Sequence, residues 1–383
     1  MPPIIPLLTL AALAAGWGMR LMDPILPGLA RDFGVTVSEM APVVAGFALA
    51  YGGGQLLVGW LGDRLGALRV LVTALFLYGA VTALTVFASS LVGMTAFRTA
   101  TGLVGGAVMP LVLAYLGATT PYEERQTTIS RVLTGVVLAQ LLSGPVSGLI
   151  AQTTGWQGVF LLAGFGALLT AAVLAWRVRV LALPTGPDPA ARAPGFRNFL
   201  LLLSRPGPRR LMLATAGDGV FLFGGGFPFV GSYLIEEFHL SPGGAGLVVA
   251  GFGLGSLAYT RLAHRLVARL GEQGLLTAGA STLAVAFAAV AVARDWWWVA
   301  PAQVTFGLGF FMLHGVLQAR ATEALPEARA TSVAGFAMAL FLGQCVGSLI
   351  FGAIIGAAGY RWSFIGAGIG ILALGAWLRA DRG

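Results

Sequence analysis

Lysine is absent from the sequence, cysteine occurs once and histidine three times, and charged residues make up only 10% of the chain. Each shortage excludes something. The single cysteine, Cys345, rules out an intrachain disulfide framework, and inside an apolar run it reads as a small packed residue. The histidines, His239, His264 and His314, are scattered. They offer no metal-ligand spacing and no nucleophile with a base and an orienting group, and no phosphate loop accompanies them, so no enzyme activity, metal or cofactor is expected. With 57% hydrophobic residues and a mean hydropathy of +0.86, the polar side chains cannot cover a water-facing surface. The bilayer must be the solvent.

Because lysine is missing, the formal charge of +8 is a matter of where arginine falls. A nucleic-acid surface would gather arginines on one face. Here they stand between hydrophobic runs, as topology determinants do, and no nucleic-acid partner is expected.

Long apolar runs fill the rest. They predict helices near 4–28, 41–61, 69–88, 91–116, 129–151, 157–176, 210–234, 244–262, 274–293, 296–318, 331–354 and 361–379. The runs are continuous rather than alternating and rich in Leu, Ala and Gly, which argues against a β-barrel. In the first run, Ile4 to Gly28, Ala-rich residues imitate a signal-peptide cleavage region. No basic segment precedes them, the apolar run continues and similar runs follow, so a membrane helix is expected. The expected fold class is all-α integral membrane with twelve transmembrane helices.

Between the sixth and seventh runs, Arg177 to Arg210 holds Pro184, Pro187, Pro189, Pro194, Pro206 and Pro208 with seven arginines. It reads as a linker with a short interfacial helix at Phe196 to Leu203. The expected organisation is an N-terminal six-helix bundle over 1–176, a linker over 177–209 and a C-terminal bundle over 210–383. With the linker side taken as inside, eighteen arginines fall inside, three (Arg31, Arg294, Arg361) fall outside, and Arg20 and Arg98 lie within helices. By the positive-inside rule both termini and the linker are expected to be cytoplasmic, in a bacterial inner membrane.

The halves repeat. Ala45 to Gly66 aligns without a gap on Ala250 to Gly271, at an offset of 205 with nine identities in 22 positions. The same offset carries Gly102-Leu103 onto Gly307-Leu308 and Pro121 onto Pro326. One deletion later, Gln140 matches Gln344, and Gly155 and Phe160 match Gly359 and Phe364. Such a register predicts two pseudo-symmetric six-helix bundles related by a parallel repeat, with a path between them.

Residues 59–70, GWLGDRLGALRV, resemble the signature between helices 2 and 3 of the major facilitator superfamily. Gly59, Leu61, Asp63, Arg64 and Gly66 are in place, while Ala67 and Leu68 stand where that family carries basic residues. Arg98 to Gly102, RTATG, is similar to its helix 4 signature, with Thr101 in place of a Gln. Gly144-Pro145 and Gly148 resemble the helix 5 signature of proton-driven antiporters, and Asp23 to Gly34 resembles the end of helix 1 in drug:proton antiporters. The resemblance implies the MFS fold and a small-molecule transporter worked by a proton gradient in the lipid bilayer. It also implies that Asp63 faces the start of helix 11 near Ala330 to Ser332 as a cytoplasmic latch, with Arg64 and Gly66 beside it. For Gly144 and Pro145 the open readings are an ordinary kink and an antiport-specific seal.

Ionisable groups inside a bilayer cost several kcal/mol unless paired or hydrated, which singles out Arg20, Asp23, Arg98 and Asp218. Asp23, Arg20 and Arg98 lie about 7, 12 and 10 Å from the outer helix ends at ~1.5 Å per residue, and so share a level. They read either as a coupling group opened by protonation or as a static ion pair. Asp218 stands without a neighbouring base on its own helix, as a proton carrier, as cavity lining or as a partner to Arg20. On helix 10, Gln303, Gly307, Phe310 and His314 share one face, and His314 is a candidate relay or a packed, hydrogen-bonded histidine. Trp17, Arg20, Thr101, Phe221, Gln303, Phe306 and Phe310 are the expected cavity lining, although aromatic stripes also simply pack. The expected function is a monomeric, proton-coupled multidrug efflux antiporter for lipophilic or cationic compounds. Its rivals are an uptake symporter or facilitator for an anionic metabolite, with Arg20 and Arg98 as clamp, and a membrane sensor or assembly factor without flux.

Overall fold

A computed structural model describes residues 4–181, 183 and 196–380, except for the side chains at 56, 57, 59, 60, 63, 122, 123, 196–198 and 330. Every regular element in it is helical. The N-terminal part holds α1 (Ile5–Arg20), α2 (Leu26–Asp32), α3 (Ala41–Leu65), α4 (Ala67–Leu84), α5 (Leu91–Gly105), α6 (Val108–Thr119) and α7 (Tyr122–Val180). After α8 (Phe196–Ser204) come α9 (Pro206–Asp218), α10 (Val230–Glu236), α11 (Pro242–Val249), α12 (Gly251–Ala291), α13 (Trp296–Ala321), α14 (Arg329–Ala358) and α15 (Tyr360–Ala380).

Eight stretches are long and apolar enough to cross a bilayer. Two of them, Glu124–Val180 and Pro242–Ala291, have 57 and 50 residues, about 85 and 75 Å at ~1.5 Å per residue. Each leaves helical geometry at one glycine, Gly155 or Gly271, where the chain turns back. With the broken first helix and α3, twelve crossings result among the described residues. Their lipid-facing side is apolar: Phe165, Leu169, Val285 and Ile369 are each at least 60% exposed, a surface that water would not tolerate in quantity.

The repeat seen in the sequence is present in the backbone. Gly66 and its counterpart Gly271, and Gly155 and its counterpart Gly359, all have positive φ, at 91°, 61°, 71° and 87°. At these four positions helices join with almost no loop. A second equivalence is a contact. Gly102 leaves no room for a Cβ against the carbonyl of Phe47, and Gly307 does the same against Phe252, at the offset of 205 found in the sequence.

Packing separates the halves on one side only. On the linker side the N-terminal bundle has its own core, including Leu8, Leu71, Leu111 and Leu174. On the far side, Leu21, Leu29, Met40 and Phe160 join one continuous core with Leu222, Phe287 and Phe364 of the C-terminal bundle. The halves are therefore shut together away from the linker. Two expected continuous helices are broken there. The first is interrupted over Leu21–Ile25, where Pro24 lacks a backbone N–H. The seventh passes through a π-helical turn, Gly219–Phe223, three glycines and a 3-10 turn, Phe227–Phe229, before α10 resumes.

Gly359, at φ 87° and ψ 170°, has open space where a Cβ would go, so its demand for glycine is conformational alone. Gly359→Ala is expected to cost about 1–3 kcal/mol and to lower the melting temperature in detergent. Gly117→Ala, in α6 with equally open space, should leave it unchanged or raise it, and the reverse order would refute this account of the turns.

Candidate functional site

The two broken helices meet. The carbonyl of Asp23, in the first break, lies so close to Gly231 of α10 that no Cβ would fit there. Arg20 ends α1, and its Nε lies 3.3 Å from Asp23 Oδ2, with both side chains buried. The guanidinium crosses to the other half, where it lies 4.0 Å from the ring centre of Phe227 and 5.5 Å from that of Phe252. A cation held by two desolvated rings is worth about 2 kcal/mol or more. The second break supplies Phe227.

Arg98 of α5 is 2% exposed. Its Nη2 donates to the carbonyl of Gly18 at 3.0 Å, and its plane covers Phe47 at 4.0 Å. Arg98 Nε and Nη1, Arg20 Nη2 and Gln140 Oε1 have no hydrogen-bond partner among the described residues. All three residues border a cavity of about 30 Å³ between the halves, which Asp23, Phe223, Phe341 and Gln344 also line. That is room for about one or two waters. In this closed form the cavity is nearly collapsed around its charges.

The sequence places Asp218 without a base on its own helix, and the structure gives it one from another helix. His314 Nδ1 of α13 lies 2.7 Å from Asp218 Oδ2. Asp218 is fully buried and its Oδ1 has no hydrogen-bond partner among the described residues. The imidazole stacks on Phe310 at 4.5 Å and faces Phe336 of α14 at 5.1 Å. Arg20, the other expected partner of Asp218, pairs with Asp23 instead.

Of the seven residues expected to line the cavity, only Arg20 borders it. Trp17 is half-buried, its Nε1 without a hydrogen-bond partner among the described residues, and the buried Thr101 donates its hydroxyl to the carbonyl of Phe97. Phe221 packs on Phe351 and Gly370, Phe306 on Phe227 and Phe287, and Phe310 on Phe223 and Phe252. Gln303 is fully buried, and neither amide atom has a hydrogen-bond partner among the described residues. The π-helical turn is the physical reason for the miss on the seventh helix. It shifts the register, so Phe223 rather than Phe221 faces the cavity. The glutamines Gln140 and Gln344 were visible as equivalent residues in the repeat, but their role as lining was not.

Among the gating candidates, the side chains of Asp63 and Ala330 lie outside the described residues, so the latch is not described. Arg64 is exposed in the last turn of α3, and Gly66 ends that helix. Gly144 and Pro145 sit where α7 crosses α11, with the backbones of Gly144 and Gly246 in contact. Among the described residues no group of three or more His, Cys, Asp or Glu could hold a metal.

The family model described as Major Facilitator Superfamily matches residues 8–341 and 219–383. The chain is 26% identical to the "Uncharacterized MFS-type transporter YceJ" of Bacillus subtilis (strain 168), over 87% of this chain and 84% of that one. It is 30% identical to the 4-hydroxybenzoate transporter PcaK of Pseudomonas aeruginosa over 46% of this chain and 39% of PcaK. Identity to the tetracenomycin C resistance and export protein of Streptomyces glaucescens is 27%, over 47% and 35% of the two chains. A crystal structure of a D-xylose-proton symporter superimposes with a TM-score of 0.78 at 19% identity, covering 98% of this chain and 96% of that one.

A Cβ on Gly253 of α12 would lie 3.3 Å from that of Leu141 of α7, close to the ~3.5–4.5 Å of disulfides. Leu141→Cys with Gly253→Cys, in a Cys345→Ala background, is expected to cross-link under mild oxidation. Adding Gly246→Val, which wedges the α7 and α11 backbones apart, should lower the yield on a reducing-sensitive gel shift. An unchanged yield would show that this glycine contact does not hold the halves together.

Proposed function

The chain belongs to the Major Facilitator Superfamily and is a multi-pass membrane transporter of the secondary type rather than an enzyme, and from that premise we propose that it exports small lipophilic molecules in exchange for protons. The observation that carries the exchange is the buried Asp218–His314 pair. A carboxylate and an imidazole in contact inside a membrane helix bundle are costly to keep without use, and histidine is the side chain whose ordinary titration falls near physiological pH. Asp23, held by Arg20 at the cavity, is a second proton site.

Rocking of the two halves alternates access to the cavity. Opening the far side requires Arg20 to leave Phe227 and Phe252, and α7 to part from α11. A proton arriving from that side settles on the Asp218–His314 pair or on Asp23 and weakens the ionic contacts there. Return of the halves exposes the proton to the linker side, where its release lets substrate load, and the next opening of the far side releases that substrate. Export is favoured by the Gly144-Pro145 contact with α11 and by the likeness to a resistance and export protein. The excess of arginine on the linker side supports a cytoplasmic linker with both termini on the same side, and the bacterial relatives support the bacterial inner membrane as its location. One chain builds the whole cavity, so a monomer suffices.

A second reading, uptake of an anion, uses the same groups. The unpartnered guanidinium donors of Arg20 and Arg98 favour it. Proteoliposomes with an imposed pH gradient and an internal pH probe separate the two. Export by exchange moves protons against the substrate, and uptake by symport moves them with it. Asp218→Asn is expected to abolish gradient-driven movement while leaving substrate exchange at zero gradient, with His314→Gln intermediate. Substrate movement that leaves internal pH unchanged would refute proton coupling in either direction.

A further inference from the structure

We propose that the ligand of the central cavity is an organic monoanion, a carboxylate on an aromatic or similarly apolar body, seated on Arg98. The inference rests on the reading of this cavity as the transport site, and of the substrates considered above it selects the anion, narrows it to a monocarboxylate and seats it on one arginine.

Charge balance carries it. The charged side chains bordering the cavity are Arg20, Asp23 and Arg98. Arg20 and Asp23 form an ion pair, and the rings of Phe227 and Phe252 cover the Arg20 guanidinium. However Asp23 is shared between the two arginines, one positive charge is left over. An uncompensated guanidinium away from water costs several kcal/mol. Tyr78, whose hydroxyl lies beside Gly18, supplies no compensating anion, since it donates that hydroxyl to the carbonyl of Ala14. Arg98 itself is 2% exposed, gives one N–H to Gly18, and leaves Nε and Nη1 without acceptors. A side chain so buried, so short of acceptors and open to a cavity lacks a negatively charged partner.

The walls describe the rest of the ligand. Phe47, Phe223 and Phe341 offer apolar and aromatic surface, and Gln140 and Gln344, one from each half, offer amides to a further polar substituent. A single surplus charge matches a monocarboxylate better than a phosphate dianion. A cation would add a second positive charge to a cavity of low dielectric. The repeat makes the seat one-sided, because the position equivalent to Arg98, at the offset of 205, is the neutral Gln303.

The test uses the purified chain in nanodiscs and three ligands of one shape, 2-naphthoate, 2-naphthamide and 2-naphthylmethylammonium, with binding read by tryptophan fluorescence. The carboxylate is expected to bind, the amide about tenfold more weakly or worse, and the ammonium not at all. Arg98→Gln should make acid and amide equal, and Arg98→Lys should keep a reduced preference for the acid, with melting curves reporting folding. Equal or tighter binding of the amide or the ammonium by the wild-type chain would overturn the proposal without need of any variant. Retained preference in a folded Arg98→Gln chain would do the same, as would failure of all three to bind. The outcome separates this seat from the proposed exchange. Naphthoate binding with pH-independent movement leaves the seat standing and removes proton coupling, whereas proton-coupled movement of the ammonium does the opposite.

Discussion

A charged side chain in hydrocarbon must find either a counter-charge, a ring face or water, and the centre of this molecule is organised by that requirement. Arg20 finds Asp23 three residues along and two rings in the opposite half. Arg98 finds a carbonyl and a ring in its own half. Asp218 finds His314, 96 residues away. Each solution fixes the position of a helix. Because the Arg20 solution lies across the gap between the bundles, closing the far side and desolvating that guanidinium are one event.

The repeat makes clear how the halves have diverged around that requirement. Phe47 and Phe252 are equivalent residues, and each takes a glycine of a neighbouring helix against its carbonyl. In the N-terminal half an arginine of the same half covers the ring of Phe47. In the C-terminal half Gln303 stands at the position equivalent to Arg98, and the ring of Phe252 receives Arg20 from the other bundle. A symmetric scaffold thus carries an asymmetric charge, with the surplus at the cavity wall of the N-terminal half and the proton-binding candidate pair inside the C-terminal half, outside the cavity lining.

Much of this was legible in the sequence. Run length and composition gave the twelve crossings, because a bilayer of fixed thickness imposes a length on every helix that spans it. The matching of Gly155 with Gly359 and of Gly66 with Gly271 anticipated positions that only glycine occupies comfortably. The buried charges stood out because there were so few of them. Contacts between distant helices were not legible. Nothing local to Asp218 announces His314, and nothing near Arg20 announces Phe227. Helical periodicity also misled where the helix ceased to be regular. Five residues of π-helix after Asp218 turn Phe223 inward and Phe221 away, and no wheel drawn at a constant angle reproduces that.

The glycine turns bear on how such a molecule can move. Where α3 meets α4, where α7 and α12 fold back, and where α14 meets α15, the joint is a single residue with no slack. A hinge of that kind transmits torque but stores little stretch. Successive helices on either side of it are obliged to travel as stiff pairs, so compliance has to be found in the interrupted first and seventh helices, the elements that also carry the charges.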